Sequence, residues 1–140
     1  MPRAYFLVKS EPSVYAFEKL VADGRTTWDG IRNFAARNHL RAMKKGDLLL
    51  FYHSNDDKAV VGVARVVREA YADPSAPGED WSVVDVEPVA ALREKVTLAQ
   101  IKADPKMASM PLVKQSRLSA MPVAATEFAR VLEVGKTKLR

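Results

Sequence analysis

Short apolar runs alternate with polar turns along this chain, a pattern that predicts about five strands and three or four short helices. Residues 5–8 are apolar at every position, which is typical of a strand buried on both faces. The next segment, residues 12–22, predicts a first helix with Ser13 as its N-cap and Gly24 as its end. A strand and a helix therefore open the fold.

The same alternation continues through the first third of the chain. Residues 26–28 are β-formers before an Asp-Gly turn, and residues 33–43 predict a second helix. At about 100° per residue, Ala36, Leu40 and Met43 share one face of this helix. We expect that face to pack inward.

The middle of the chain predicts a strand pair. Residues 47–53 are strongly apolar, residues 55–58 form a polar turn, and residues 59–69 return as a long strand. Gly62 in the second strand suggests a bulge or a close backbone approach. The remaining predicted elements are a surface loop at 73–80, a strand at 81–86, a helix that starts at a Thr97–Gln100 capping box and ends before Pro105, a strand at 118–120 and a helix at 125–132. Strands that follow one another without long helices favour an α+β fold with a mixed or antiparallel sheet that closes on itself.

Composition limits the possible functions. The 140 residues fit one domain, and the absence of cysteine excludes a disulfide framework, a thiolate zinc site and a cysteine nucleophile. No apolar run approaches the roughly 20 residues that a membrane span needs. We predict a cytoplasmic, monomeric protein with no membrane association, no cofactor and no metal.

The net charge of +5 is concentrated in two places. Three basic residues lie beyond Gly135, and a stretch without acidic residues lies between Asp29 and Asp47. The basic residues of that stretch are Arg32, Arg37, Arg41, Lys44 and Lys45. A local basic patch suits a polyanion, and the absence of acidic neighbours in sequence favours phosphate contacts. The alternative is a solvated charged face of a helix.

Four clusters of polar and aromatic residues follow predicted buried elements. They occupy residues 9–12, 28–34, 51–54 and 115–119. Side chains at such positions can be aimed by a rigid scaffold. If the clusters converge, they build a cavity with aromatic walls and a few hydrogen-bonding groups, which is what binding a flipped-out base requires.

These clusters resemble the EVE domain family. The matching runs are Lys-Ser-Glu-Pro at 9–12, Trp-Asp-Gly-Ile-Arg-Asn at 28–33, Ala-Arg-Asn at 36–38, Gly-Asp-Leu-Leu-Leu-Phe-Tyr-His-Ser at 46–54 and Gln-Ser-Arg-Leu-Ser at 115–119. They occur in the family's order and cover nearly the whole chain. The resemblance implies a PUA-like pseudo-barrel with about five or six strands and short flanking helices, related to the YTH and SRA groups of modified-base readers. We therefore predict an EVE domain at residues 1–135, followed by a basic tail at 136–140, where three of the five residues are basic.

The resemblance further implies a function and a site. The expected partner is nucleic acid with modified bases, with modified cytosine in DNA favoured over RNA. By family position, the base pocket is formed by Lys9, Ser10, Glu11, Trp28, Asn33, His53, Ser54, Arg117 and Ser119. We add Phe34, where family members often carry tyrosine, so that a hydroxyl is missing here.

Most of these residues also have a purely structural interpretation. Trp28 could be an ordinary core residue, and Ser10 and Glu11 could cap the helix that follows. Asn33 and Arg117 could bind each other and hold two loops together. The sequence leaves these alternatives open.

Two other classes of function remain possible. PUA-like relatives of the ASCH group include amidohydrolases that act on acylated cytidine, and Lys9, Ser10 and Glu11 offer a base, a nucleophile and a carboxylate. Neighbouring residues on a strand point to opposite faces, however, which argues against Lys9 and Ser10 as a catalytic pair. The second alternative is a protein-interaction module, against which the local basic patch argues.

Overall fold

The computed structural model describes residues 4–55 and 57–139, so that Met1 to Arg3, Asp56 of the predicted 55–58 turn, and Arg140 lie outside the description. One six-stranded sheet has the order β2-β5-β4-β3-β1-β6. Its strands are β1 (Tyr5–Ser10), β2 (Thr26–Trp28), β3 (Leu48–His53), β4 (Ala59–Ala72), β5 (Ser82–Thr97) and β6 (Ala120–Val123). The helices are α1 (Phe17–Asp23), α2 (Phe34–Ala42), α3 (Leu98–Ala103), α4 (Pro111–Lys114) and α5 (Ala125–Val134). The predicted α+β class with a mixed sheet is confirmed.

The two most apolar strands, β1 and β3, are neighbours in the interior of the sheet. β1 pairs with β3 in parallel, and the other strand pairs are antiparallel. Leu7 and Val8 of β1 and Leu50 and Phe51 of β3 are completely buried. Apolar surface covered on both faces explains why these segments lack the alternation of a half-exposed strand. Helix α2 packs against β4, β5 and β6 and so spans the two ends of the sheet.

Gly62 allows a close approach between β4 and the start of α1. A β-carbon at this position would lie 2.5 Å from the Phe17 ring, which is too short for a non-bonded contact. The registers of β4 with β3 and with β5 both shift at this point. The predicted bulge or close backbone approach is therefore confirmed, and the sheet makes room here for an aromatic ring of the core.

The first helix begins five residues later than predicted. α1 starts at Phe17 after an Ala16 N-cap, and Ser13 belongs to a preceding turn. The Phe17 N–H donates to Nε2 of His53 at 3.0 Å, so the first turn of the helix obtains its acceptor from β3. Ser13 as N-cap was thus wrong because the cap comes from a distant residue. Gly24 ends the helix in the left-handed conformation, as predicted.

The second helix closely follows the prediction. α2 begins after Asn33, whose side-chain oxygen accepts the N–H of Ala36 at 2.9 Å. Ala36, Leu40 and Met43 are buried, which confirms the inward face.

In the second half of the chain, two predicted strands had wrong bounds and one helix was missed. β5 continues to Thr97 instead of ending at residue 86, because it pairs with the long β4 through a series of register shifts. The last strand is residues 120–123 rather than 118–120, and it contains Pro122. A proline is compatible with β6 because this strand is at the edge of the sheet. Helix α4 was not predicted.

The segment after α5 contacts the sheet. The Thr137 hydroxyl accepts the N–H of Arg93 at 2.9 Å, and Lys136 forms an ion pair with Glu94 at 2.7 Å. A domain boundary at residue 135 remains a prediction. Within the described residues, each helix is too short or too polar to cross a lipid bilayer.

Candidate functional site

A cavity of about 520 Å³ opens where the end of β1 meets the end of β2. Its volume lies within the range of small-ligand pockets. The lining residues are Lys9, Ser10, Glu11, Val14, Tyr15, Thr26, Thr27, Trp28, Asp29, Gly30, Ile31, Arg32 and Ser119. Five of the ten residues predicted for the base pocket are therefore brought together, namely Lys9, Ser10, Glu11, Trp28 and Ser119.

Lys9 joins the end of β1 to the loop before β6. Its Nζ donates to the carbonyl of Ser116 at 2.7 Å, and its N–H donates to the carbonyl of Ser119 at 3.0 Å. Desolvation lowers the pKa of Lys9 from its ordinary value. The two contacts hold Ser119 at the cavity wall, although it lies 110 residues from Lys9 in sequence.

A tight turn after β1 forms the opposite wall. The carbonyl of Glu11 accepts the N–H groups of Val14 and Tyr15, and the Ser10 hydroxyl donates to the Tyr15 carbonyl at 2.5 Å. The Tyr15 phenol donates to Asp23 at 2.9 Å, and burial raises the pKa of this phenol. Ser10 and Glu11 thus shape the turn and also line the cavity.

Trp28 belongs both to the core and to the cavity. It is 8% exposed, and its ring meets Phe51 edge to face at 5.4 Å and Tyr15 at 6.3 Å between centroids. Two aromatic side chains, Trp28 and Tyr15, therefore stand at approximately right angles in the lining. Such rings offer a base a face to stack on and an edge to pack against.

A buried carboxylate ties the other rim of the cavity to a distant loop. Asp73 accepts the Gly30 N–H at 3.2 Å, the Arg32 guanidinium at 3.0 Å and the Ser75 N–H at 2.7 Å. Burial alone would raise the pKa of Asp73, but hydrogen bonds from Ser75, Arg32 and Gly30 outweigh it and lower the pKa to about 2. The segment that carries Asp29, Gly30 and Arg32 is fixed in place by this one side chain.

We expect the stability of the protein to fall as Asp73 becomes protonated. Its folded-state pKa of about 2 lies below the ordinary value of 3.8, so its contribution is complete above about pH 4 and is lost as the pH falls towards 2. Between these pH values the free energy of unfolding of the wild type should fall by about 1–2 kcal/mol more than that of Asp73→Asn. Denaturant unfolding at a series of pH values measures this difference.

The control for this prediction is Asp29→Asn, which removes an exposed carboxylate from the same rim. It should keep the acid sensitivity of the wild type. If Asp73→Asn did so as well, the hydrogen bonds of Asp73 would not lower its pKa in the way described.

A second buried carboxylate, Asp85 of β5, lies opposite Thr27 of β2 in the sheet. Asp85 accepts hydrogen bonds from Tyr71 at 2.6 Å, Thr27 at 3.0 Å and Arg25 at 3.2 Å. Burial would raise the pKa of Asp85, but these three partners together lower it. Thr27 lines the cavity, and its hydrogen bond to Asp85 fixes the position of its hydroxyl there.

Two predicted pocket residues from the end of β3 do not line the cavity. His53 is 3% exposed and sits in the core, where its Nε2 accepts the Phe17 N–H and its Nδ1 lies 2.8 Å from Asp57. The proton must be on Nδ1, since Nε2 acts as acceptor. Ser54 is half-buried beside it, and its N–H donates to the carbonyl of Ser10 at 2.9 Å. Both residues bind neighbouring backbone groups, at Phe17 and at the cavity residue Ser10, rather than lining the cavity themselves.

Three further predicted pocket residues lie on neighbouring surfaces. Asn33 and Arg117 line a shallow groove together, with Asn33 committed to capping α2. Phe34 is 65% exposed on α2 and stacks on Trp81 with a centroid distance of 5.2 Å. The predicted single pocket of ten residues is therefore a cavity, an adjacent groove and an exposed aromatic stack.

The basic patch has acidic partners, contrary to the sequence-based argument. Arg37 and Arg41 both form ion pairs with Asp80, and Arg32 pairs with Asp73. These acids lie 39 to 43 residues further along the chain, in the loop between β4 and β5, and so escaped a search between Asp29 and Asp47. Lys44 and Lys45 are exposed, and their N–H groups donate to Asp47 and Glu69.

Several lining residues were not selected from the sequence. Val14 and Tyr15 were assigned to a helix that in fact begins at Phe17, and Thr26 and Thr27 were considered only as β-formers. The aromatic ring of Tyr15 and the hydroxyls of Thr26 and Thr27 lie next to the selected clusters in sequence, and they are the features that could have identified these residues. Among the residues that the structure describes, no group of three or more histidine and acidic side chains could hold a metal ion.

Comparisons with known proteins agree with this architecture. A family model described as the EVE domain matches residues 4–134. Thymocyte nuclear protein 1 of Mus musculus is 34% identical over 96% of this chain and 74% of its own length. The structure of human thymocyte nuclear protein 1 in complex with 5-methylcytosine containing DNA has a TM-score of 0.85 and 33% identity, and the match covers 96% of this chain and 99% of that one.

A more distant likeness concerns the fold alone. The YTH domain of a Zygosaccharomyces rouxii protein, solved with N6-methyladenosine RNA, superimposes with a TM-score of 0.62 at 20% identity, covering 99% of this chain and 89% of that one. The predicted relation to the YTH group is thereby confirmed at the level of the fold. With a family match across almost its whole length, the chain belongs to the EVE domain family.

Proposed function

We propose that this protein is a reader of modified bases in nucleic acid, and that it holds a modified pyrimidine, with 5-methylcytosine in DNA favoured, in the cavity at the end of β1. The observation that carries the proposal is the cavity itself, which combines a Trp28 and Tyr15 wall with hydroxyl and ammonium groups. The human relative was solved with 5-methylcytosine containing DNA, which favours DNA over RNA as the partner.

The lining offers what an extruded base needs. Trp28 and Tyr15 provide aromatic surface, while Ser10, Lys9 and Ser119 provide polar groups from the β1 side. Stacking is worth roughly 1–3 kcal/mol per base, and extrusion from a duplex costs about a few kcal/mol. Since these terms nearly cancel, contacts to the phosphate backbone must supply much of the affinity.

A binding titration tests this function directly. We expect the wild type to bind DNA with one 5-methylcytosine about 4- to 10-fold more tightly than the same DNA with cytosine, because burial of one methyl group in a fitted pocket is worth about 0.8–1.4 kcal/mol. Fluorescence anisotropy with matched duplexes, single strands and RNA carrying N6-methyladenosine measures the preference. Equal affinity for all modified and unmodified strands would contradict base reading, and a preference for the modified RNA would reassign the partner.

We propose further that the protein does not turn over its ligand. The hydroxyl of Ser10 donates to the carbonyl of Tyr15, and Lys9 donates to Ser116, so both side chains have structural partners. Incubation with acylated and methylated cytidines followed by mass spectrometry tests this point. Product formation that Ser10→Ala abolishes would identify an amidohydrolase instead.

The cytoplasmic location, the monomeric state and the phosphate contacts are retained as predictions, and so are base contacts by the five predicted residues that line the cavity, namely Lys9, Ser10, Glu11, Trp28 and Ser119. The relatives reported above carry the word nuclear in their names, whereas the location that we predict for this protein is the cytoplasm. Sedimentation of the free protein checks the monomeric state.

A further inference from the structure

An aromatic pair stands on the surface next to the cavity. Phe34, the first residue of α2, is 65% exposed and lies nearly parallel to Trp81, with 5.2 Å between ring centroids and 19° between planes. Trp81 immediately precedes β5 and is half-buried. Phe34 is thus held flat against a second ring while most of its surface stays exposed. Planar ligands such as bases stack on surfaces of this kind.

Arginine side chains surround the pair and link it to the cavity. The Arg37 guanidinium lies 5.0 Å from the centre of the Phe34 ring, and the Arg32 guanidinium lies 5.7 Å from that of Trp81. Arg32 also lines the cavity. The aromatic pair and the base cavity are therefore two parts of one continuous surface, with Arg32 between them.

Asp80 forms ion pairs with two guanidinium groups, those of Arg37 and Arg41. Its carboxylate oxygens lie 3.1 Å from Nη1 of Arg37 and 2.5 Å from Nη2 of Arg41, while the Asp80 side chain itself is 76% exposed. A single negative charge with two oxygens between two arginines is the arrangement that a phosphodiester group would adopt there. Because the Asp80 carboxylate is open to solvent, a phosphate can displace it and take over the same guanidinium contacts, although the Arg37 side chain is only 14% and the Arg41 side chain 39% exposed.

We define the flanking surface as Phe34, Trp81, Arg32, Arg37 and Arg41. We propose that the flanking surface binds the nucleotide next to the one held in the cavity, with the base of that nucleotide stacked on Phe34 and its phosphate replacing Asp80 between Arg37 and Arg41. This inference rests on the proposed reader function and adds to it a second subsite. Asp80 then acts as an internal competitor that weakens binding to any strand, whether modified or not.

The first test removes the competitor. Asp80→Asn should bind DNA about 2- to 10-fold more tightly than the wild type, by the same factor with and without 5-methylcytosine, because the ion pairs of Asp80 with Arg37 and Arg41 no longer have to be exchanged. The logarithm of the affinity should also depend more steeply on salt, by about one unit of slope. Glu79→Gln is the control, since it removes one negative charge from the neighbouring exposed position. Equal effects of both variants would reduce the role of Asp80 to net charge and overturn the proposal.

The second test removes the stacking face. Phe34→Ala should weaken binding of a three-nucleotide single strand with a central 5-methylcytosine about tenfold, because one stacked base is lost. Binding of free 5-methyl-2′-deoxycytidine should be unchanged, since it has no flanking base. Val21→Ala, which shortens another exposed apolar side chain on α1, should leave both affinities as in the wild type.

The outcomes separate the subsite from the reader function. The wild type could prefer methylated DNA while Phe34→Ala and Val21→Ala bind the three-nucleotide strand with equal affinity. That result would overturn the flanking surface and leave base reading intact. A wild type without that preference would overturn base reading, together with the subsite that depends on it. A loss of nucleoside binding in Phe34→Ala would place this side chain in the base pocket and also contradict the proposal.

Discussion

Replacing Trp28 with alanine should lower the free energy of unfolding by about 3–5 kcal/mol and abolish the preference for a modified base. The indole packs edge-on against Phe51 and Tyr15 and is only 8% exposed, so that truncation leaves a void in the core. The same ring lines the cavity, so the void also removes its largest aromatic wall. Denaturant unfolding and anisotropy titrations measure the two effects.

A milder substitution separates binding from folding at this position. Trp28→Phe keeps an aromatic face and should unfold within about 1–3 kcal/mol of the wild type, because most of the buried area is retained. It should remain folded during titration and keep a reduced preference for the modified base. A stable alanine variant with the wild-type preference would show that Trp28 is neither a core support nor a wall.

Replacing His53 with alanine should lower the free energy of unfolding by about 2–4 kcal/mol and leave base selectivity unchanged in the folded fraction. The buried Phe17 N–H would lose its acceptor, which costs about 1–3 kcal/mol, and the removed ring would leave unfilled space. Calorimetry measures the stability, and titration at a temperature well below the midpoint of unfolding measures the selectivity. The result distinguishes a support role from the base-contact role expected by family position.

Two control variants test whether the loss of stability is specific to the His53 hydrogen bond. His39→Ala removes the other histidine, which is half-buried on α2, and should change stability by no more than about 1 kcal/mol. His53→Gln offers an oxygen in place of Nε2 and should recover part of the lost stability. If a fully folded His53→Ala variant lost its base selectivity, the support role would be wrong and His53 would be a base-contacting residue.

The contrast between Trp28 and His53 shows how far motif position can define a site. Both residues stand at strand ends inside family motifs, and both are nearly buried. The end of β2 faces the cavity, whereas the imidazole of His53 turns towards the start of α1. Which face of a strand end meets a cavity depends on strand pairing, and that pairing joins residues from distant parts of the chain.

The basic patch gives a similar lesson about electrostatics. The sequence places Arg37 and Arg41 on one flank of α2 with no acidic residue nearby in the chain, which indicated free guanidinium groups. Asp80 reaches both of them from the loop before β5. Counting local charge therefore selected these arginines but missed the carboxylate that pairs with them.

The order of apolar and polar residues alone predicted the α+β class, the buried interior strands and the inward face of α2, and Gly62 indicated a bulge or a close backbone approach. These features depend on local periodicity, or on a backbone that can tolerate no side chain. Only the tertiary structure decided where α1 begins, how far β5 extends and which of the selected residues share a cavity. These features depend on contacts such as that between His53 and Phe17, in which an acceptor from another strand replaces a local cap. The packing of the sheet brings such partners together. They lie too far apart in sequence for a local pattern to reveal them.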